Sequence, residues 1–479
     1  MNYRMILYLS GQILRVLGGF MILPLLVALI YQESASRNAF AVTSAVLLVL
    51  GSLIAWKKPE NKSLYNREGL AVVAVAWLLM SVFGGIPFLL SGDIPNFADC
   101  IFEITSGFTT TGSTILTDIE SMSHATLFWR SFSHFLGGMG VLVFMLTILP
   151  HNDTRTMHIV RAESPGPTVG KLVAKMHFSV RILYSMYVAL TLLEVVFLLF
   201  GGMNLFEALC HAFSTAGTGG FGITNNSVAD YDSAYIDIVI TIFMGLFGVN
   251  FTLYYLVLMK KWKAALCNEE LRLYVFICVI SMLVIAINIT HIYDNFWQAL
   301  RYSSFQVMST ISTTGFATAN FIDWPVFSQV IIILLMFIGG CAGSTGGGLK
   351  VIRIMLLFKI ALRQIRTVLN PRAVVMVQCD GKAVDKDVVN GTGAYFVLFA
   401  FLLALSILLL SLDGHDLGTT ATAVITCLNN VGPGVGEINP SGNFSGFSAW
   451  AKILLSMDML LGRLEIYPLL VLFTCRRNK

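Results

Sequence analysis

Ten stretches of this chain are long and apolar enough to cross a bilayer, and that limits its fold more than any single motif. About 20 apolar residues suffice to cross a hydrocarbon core of about 30 Å. Such runs fall near 6–31, 39–56, 69–91, 126–149, 178–201, 234–259, 272–290, 327–358, 393–412 and 449–474. Backbone in hydrocarbon must satisfy its own hydrogen bonds, so an all-α membrane protein of ten transmembrane helices is predicted. Of the 479 residues, 56% are hydrophobic and 12% charged, about half the charged share of a soluble chain. Soluble enzymes, nucleic-acid binders and disulfide-stapled secreted domains are excluded on that ground. The eight cysteines form no C-x-x-C pair and no metal-ligand spacing with His, so they read as small apolar residues. Residues 1–31 read as a first membrane helix, because the apolar run is long and lacks a convincing cleavage site.

Ten alternating spans place both termini on one side. The loops near 57–68, 150–181, 260–272 and 353–387, with the C-terminal tail, then share that side and hold most of the 31 Lys and Arg. They include Lys57, Lys58, Arg155, Arg161, Lys171, Lys260, Arg363 and Arg476. The opposite loops hold almost none, Arg37 and Arg301 excepted. This positive-inside pattern predicts that both termini are cytoplasmic. The outer loops carry acids instead, among them Asp93, Asp99, Asp118, Glu120, Asp416 and Glu437. They form a cation-concentrating funnel, or they fill loops from which basic residues are barred; the sequence leaves both open.

Four outer segments, near 93–125, 202–233, 292–326 and 413–448, are too long for turns and too apolar for ordinary loops. Each reads as a short helix followed by a tract: FTTTGST (108–114), GTGGFG (217–222), STTGFA (312–317) and NNVGPG (429–434). Gly112, Gly220, Gly315 and Gly432 align in one column, spaced by 108, 95 and 117 residues. Two positions earlier stand Thr110, Thr218, Thr313 and Asn430; one position earlier stand Thr111, Gly219, Thr314 and Val431; six earlier stand Ser106, Ser214, Ser309 and Thr426. Internal repetition of this kind fixes architecture. Four interrupted segments at membrane depth must surround a shared cavity. Glycine there admits torsions closed to other residues and lets carbonyls approach a ligand. The tracts hold no Asp or Glu, which a divalent ion would want. A ring of neutral oxygens suits a weakly hydrated monovalent cation such as K⁺, and the negative ends of the short helices favour the same charge. Tracts of this type also occur in the broken helices of carriers, but four copies in matching context favour a pore.

The run 339–348 holds six glycines in ten residues and cannot remain a straight helix. It predicts an intramembrane loop below the filter, over 339–350, in which Gly343, Ser344, Thr345, Gly346, Gly347 and Gly348 form a movable plug. A close-packing surface for neighbouring helices is the competing account. Arg463, inside the last span, needs a cavity or a partner. It is read as an electrostatic barrier below the filter, against an ion pair with Glu465 or Asp458. Lys350 and Arg353 are expected to reach the cytoplasm or a carboxylate. Arg130 reads as snorkelling, Glu103 and Glu207 as filter buttresses or interfacial residues, and the histidines as structural.

HAFSTAGTGGFG (211–222), STISTTGFAT (309–318), NNVGPG (429–434), GGCAGSTGGGLKVIR (339–353) and LGRLEIYPLLVLF (461–473) resemble the bacterial Trk/Ktr potassium-transport superfamily, most closely its TrkH/TrkG branch. The resemblance covers essentially the whole chain. It implies four M1–pore helix–M2 repeats around one permeation path (67–165, 166–265, 266–385 and 386–479) after an extra N-terminal helix pair (1–66). It implies K⁺ as the transported ion, because all four filter positions are Gly and Ser at the first accompanies Na⁺ transport in related plant proteins. A gating loop and a basic residue in the last helix are implied at 339–350 and Arg463. So are a homodimer and a cytoplasmic nucleotide-binding regulatory ring, TrkA-like. No nucleotide-binding fold is read in the chain, so bound nucleotide would belong to that partner. The basic inner loops suit lipid phosphates or the partner equally. A secondary transporter coupling K⁺ to H⁺ or Na⁺ is the alternative, although the tracts lack the ionisable midplane groups that coupling wants. No cluster of catalytic residues suggests a membrane enzyme.

Overall fold

Apolar periodicity becomes helix throughout the chain, and the places where helices break are where glycine, asparagine or proline interrupts the run. The computed structural model describes residues 2–59, 65–138, 140, 176–372 and 375–473. The end of the predicted span 126–149, most of the loop 150–181 and the tail from 474 lie outside the described residues.

The chain opens with α1 (Tyr3–Phe20) and α2 (Ile22–Ile30), then α3 (Ser34–Ile54), α4 (Asn66–Gly84) and α5 (Ile86–Ser91). Next come α6 (Phe97–Phe108), α7 (His124–Gly138), α8 (Met176–Phe200), α9 (Leu205–Gly217), α10 (Ala234–Phe247) and α11 (Phe251–Leu258). A short α12 (Trp262–Leu266) leads to α13 (Glu269–Ile289), α14 (Phe296–Ile311), α15 (Val326–Ile338), α16 (Val351–Leu369) and α17 (Lys386–Leu410). The last helices are α18 (Leu417–Asn429), α19 (Ala449–Arg463) and α20 (Tyr467–Phe473). Among the described residues, six helices are long and apolar enough to span a membrane, or seven if the bent pair α10–α11 is one span. The other predicted spans are shorter, broken, or run into residues not described.

Two predicted continuous spans are corrected. The run 234–259 bends by 90° between α10 and α11. Asn250 causes the break by capping α11, its side chain accepting from the Thr252 N–H at 2.8 Å. The run 449–474 breaks after Arg463, where Glu465 and Ile466 adopt left-handed torsions (φ 55° and 67°) ahead of Pro468. The run 327–358 breaks over 339–350 as its glycines require, and α16 continues past the predicted limit to Leu369. A small hairpin, Gln378–Cys379 against Lys382–Ala383, is not among the predicted elements; it turns at Asp380-Gly381, both with positive φ (52° and 72°).

The N-terminal helices pack through glycine, as small-residue membrane interfaces do. A Cβ on Gly51 would sit 2.6 Å from the Gly11 carbonyl oxygen, and Ser44 donates to the Gly18 carbonyl at 2.7 Å. The pair is anchored to α7 by Glu33, whose carboxylate accepts from the His124 and Ala125 N–H groups at 2.7 and 3.1 Å. A carboxylate at a helix N-terminus satisfies otherwise orphaned donors. Gly51→Leu is expected to destabilise the fold by about 1–3 kcal/mol through overpacking, read as a lower thermal midpoint in detergent. Val49→Leu, on the outward face, should leave the midpoint unchanged.

Candidate functional site: a ring of four glycine loops

Four short helices, α6, α9, α14 and α18, aim their C-terminal ends at one point. Each begins at an Asx cap. Asn96, Asn204, Asn295 and Asp416 accept from the N–H groups of Ala98, Glu207, Gln298 and Thr419 at 2.9–3.0 Å. Each ends in the same backbone pattern. The N–H groups of Thr111, Gly219, Thr314 and Val431 donate back to the carbonyls of Ser106, Ser214, Ser309 and Thr426, at 2.9, 2.8, 2.8 and 3.0 Å. Those of Thr110, Thr218, Thr313 and Asn430 donate to Gly107, Thr215, Thr310 and Cys427. These four residues are left-handed (φ 56°, 55°, 61° and 55°), and so are the column glycines two positions on (82°, 78°, 89° and 102°). The shared torsions make the repeat geometric as well as textual.

The glycines also identify their neighbours. A Cβ added to Gly112 would collide with the Gly219 carbonyl oxygen, one on Gly220 with that of Thr314, and one on Gly315 with that of Val431. One on Gly432 would lie 2.8 Å from the Thr111 carbonyl oxygen. The order runs through the four loops in sequence and returns to the first, so they enclose a single axis. All four glycines border one outer cavity of about 150 Å³. Asn430, which replaces the Thr of the other loops, donates to Thr111 Oγ1 and to the Met459 carbonyl, both at 2.9 Å, tying the fourth loop to the first. Ser214 and Ser309 fasten the exit strands by donating to the Phe221 and Phe316 carbonyls at 2.9 and 2.6 Å.

The loop 339–350 lies against the inner, helix-side end of this ring. The Gly347 N–H donates to Thr313 Oγ1 at 2.7 Å. A Cβ on Gly346 would lie 2.7 Å from the Ser312 carbonyl oxygen, and one on Gly347 2.6 Å from that of Asn429. Gly343, Gly348 and Lys350 have positive φ (73°, 75° and 74°). The Gly343 carbonyl accepts from the Phe251 N–H at 3.1 Å, Ser344 Oγ donates to the Cys341 carbonyl at 2.7 Å, and Lys350 Nζ donates to the Gly346 carbonyl. Arg463 reaches across with Nη1 on the Thr345 carbonyl (2.7 Å) and Nη2 on those of Gly137 and Gly138 (2.5 and 3.0 Å). The four tracts thus form one ring, and the glycine loop touches its helix-side end through Gly346 and Gly347.

The chain matches the TrkH family, described as cation transport proteins, over residues 36–478. It belongs to the TrkH family. It is similar to the Trk system potassium uptake protein TrkH of Salmonella typhimurium, 38% identical over 483 residues with 99% of each chain covered. It is 33% identical to the Trk system potassium uptake protein TrkG of Escherichia coli, covering 99% of this chain and 98% of that one. The crystal structure of the potassium transporter TrkH from Vibrio parahaemolyticus superimposes with a TM-score of 0.89 at 33% identity, covering 99% of both chains.

Several residues of this TrkH-family chain sit otherwise than predicted. Arg130 does not snorkel. It is 1% exposed and pairs at 2.8 Å with Glu103, which is 0% exposed. An unpaired Arg would seek water, but a buried carboxylate one turn back from the first loop gives it a partner. Glu103 therefore buttresses the first loop, at Thr114 and Ile115, whereas Glu207 closes a capping box with Asn204. Arg463 is held by carbonyls, while Glu465 takes Arg353 at 2.5 Å and Asp458 accepts from Ser406 at 2.8 Å. His134 stacks on Phe221, in keeping with a structural role. The outer acids divide. Asp416 caps α18, Asp99 pairs with Lys452 at 2.6 Å, and Asn225 holds Asp118 and Glu120 at the cavity rim. That hydrogen bond keeps the Asp118 carboxyl below the usual carboxylate range, so the rim remains anionic near neutrality. Sequence reading missed Asn250 and Glu270; the latter accepts from the Ala342 N–H of the glycine loop at 2.6 Å. Asn250 is a polar residue in an apolar run, whereas Glu270 is one of two adjacent acids at the start of α13.

Gly315→Ser combines a left-handed torsion with a collision at the Val431 carbonyl. It is expected to lower discrimination between K⁺ and Na⁺ in flux assays, with protein level in the membrane unchanged.

Proposed function

We propose that this protein carries K⁺ into the cell across the cytoplasmic membrane, by conduction down the electrochemical gradient through the ring of four loops. The closed order of the four column glycines, each against the carbonyl of the next loop, carries the reading. Carbonyl and hydroxyl oxygens of Thr110, Thr111, Gly112, Thr218, Gly219, Gly220, Thr313, Thr314, Gly315, Asn430, Val431 and Gly432 replace the hydration shell of the ion. The C-terminal ends of the four short helices add negative potential at the same place. In this reading ten spans form an N-terminal pair and four M1–pore helix–M2 repeats, with both termini cytoplasmic. The potassium uptake named for the Salmonella and Escherichia relatives supports the ion, and the family's transport role argues against an enzyme.

The loop 343–348 with Lys350 and Arg463 is the gate in this proposal. It lies on the inner side of the filter, and the Arg463 guanidinium places positive charge where a cation would leave. A homodimer and a cytoplasmic nucleotide-binding partner that moves the loop complete the proposed system. The carboxylate-free tracts favour conduction over coupling to H⁺ or Na⁺.

Purified protein in lipid vesicles tests the function. Flux should follow the K⁺ gradient at fixed pH and favour K⁺ and Rb⁺ over Na⁺ and Li⁺. Absence of flux overturns the proposal, and strict dependence on a pH gradient replaces it with a coupled carrier. Arg463→Ala frees the Thr345 carbonyl and removes the charge, so basal flux should rise; unchanged flux removes Arg463 from the gate.

A further inference from the structure

The four walls of the ring are not equivalent. Behind the first loop, Glu103 is saturated. Oε1 accepts from Arg130 Nε at 2.8 Å and from Thr114 Oγ1 at 2.9 Å, while Oε2 accepts from the Ile115 N–H at 2.9 Å. Thr114 and Ile115 are the exit strand that follows Gly112. Arg130 then extends to the second loop. Nη1 approaches the Gly222 carbonyl at 3.4 Å, and the guanidinium carbon lies 4.1 Å from the centroid of the Phe221 ring. Phe221 follows Gly220 directly and also stacks on His134, at 4.3 Å between centroids. One buried ion pair therefore links the exit strands of two adjacent loops.

The other repeats lack this device. The position of Glu103, nine before the column glycine, is His211, Gln306 and Ala423 in the later repeats. The wall made by the third and fourth loops is touched instead by the glycine loop, at Thr313 and Asn429. We infer that the Glu103–Arg130 pair is a positioning pair that fixes the distance between the first and second filter loops and thereby sets ion selectivity. The inference rests on the conduction reading above. Guanidinium geometry matters here because its planar fork addresses a carboxylate, a carbonyl and an aromatic face at once, which an ammonium does not. A ring of carbonyls selects by its size or by its dipoles, and either property changes when one wall is free to shift.

The pair carries two separable effects, charge balance and bracing. Glu103→Gln alone leaves an unbalanced cation bordering the outer cavity and should depress cation conductance. The double variant Glu103→Gln/Arg130→Met removes both charges, a replacement that buried ion pairs tolerate well. It should recover conductance, while the K⁺/Na⁺ flux ratio in vesicles falls by about tenfold, the equivalent of one charge-assisted hydrogen bond. A role confined to folding would alter the amount of functional protein and leave that ratio fixed. A wild-type ratio in the double variant overturns the inference. If the double variant fails to assemble, Arg130→Lys carries the test. It keeps the charge pair but loses the contacts to Gly222 and Phe221, so its ratio must also fall, and a wild-type ratio again overturns the inference. Absence of any cation flux from the unmodified protein would sink the conduction reading instead, a distinguishable failure.

Discussion

Everything in this fold depends on how irregular backbone survives in a membrane interior. Each glycine tract abandons helical bonding, yet the N–H groups of the two residues before its column glycine turn back onto the helix that delivers them. That arrangement consumes donors and leaves oxygen as the group available to the centre, which is what a dehydrated cation requires. The left-handed residue two positions before each glycine makes the reversal possible. Asn tolerates that torsion readily and Thr does so at a cost, so the surrounding packing must hold Thr110, Thr218 and Thr313 in place.

The same requirement couples two other breaks. The bend between α10 and α11 exposes backbone at Gly248 and Phe251, and the glycine loop exposes backbone at Cys341 and Gly343. They satisfy one another: the Cys341 N–H donates to the Gly248 carbonyl at 2.9 Å and the Phe251 N–H to the Gly343 carbonyl at 3.1 Å. Neither break is tolerable without the other. A loop whose partners belong to a second broken helix moves only if that helix adjusts, so the proposed gate joins the second and third repeats mechanically.

What the sequence made legible followed from local rules. Glycine content located the four tracts and the break at 339–350, and apolar length marked the helices. Contacts between distant segments were not legible. Arg130 looked like a snorkelling residue because Glu103 is 27 positions away and no helical period connects them. The bend at Asn250 was hidden because its hydrophobic neighbours, Phe251 to Leu258, continue the apolar run unbroken. Arg463 was recognised as needing a partner, yet the sequence offered carboxylates nearby and the structure supplies carbonyls from Gly137 and Thr345 instead.

The charges placed within the membrane explain why a cation pathway can be built from so cation-rich a lining. Arg130, Arg353 and Arg463 are each fixed in place, the first two by carboxylates and the third by carbonyls. The carboxylates balance their partners, whereas the carbonyls that hold Arg463 and Lys350 carry no formal charge. In the proposed gate, Arg463 and Lys350 bring positive charge to the glycine loop, on the inner side of the ring. In the conduction reading, a cation held among the loop carbonyls has the Glu103–Arg130 pair beside it and the Arg463 and Lys350 cations on its inner side. In that reading the barrier falls when Arg463 and the loop it holds move together.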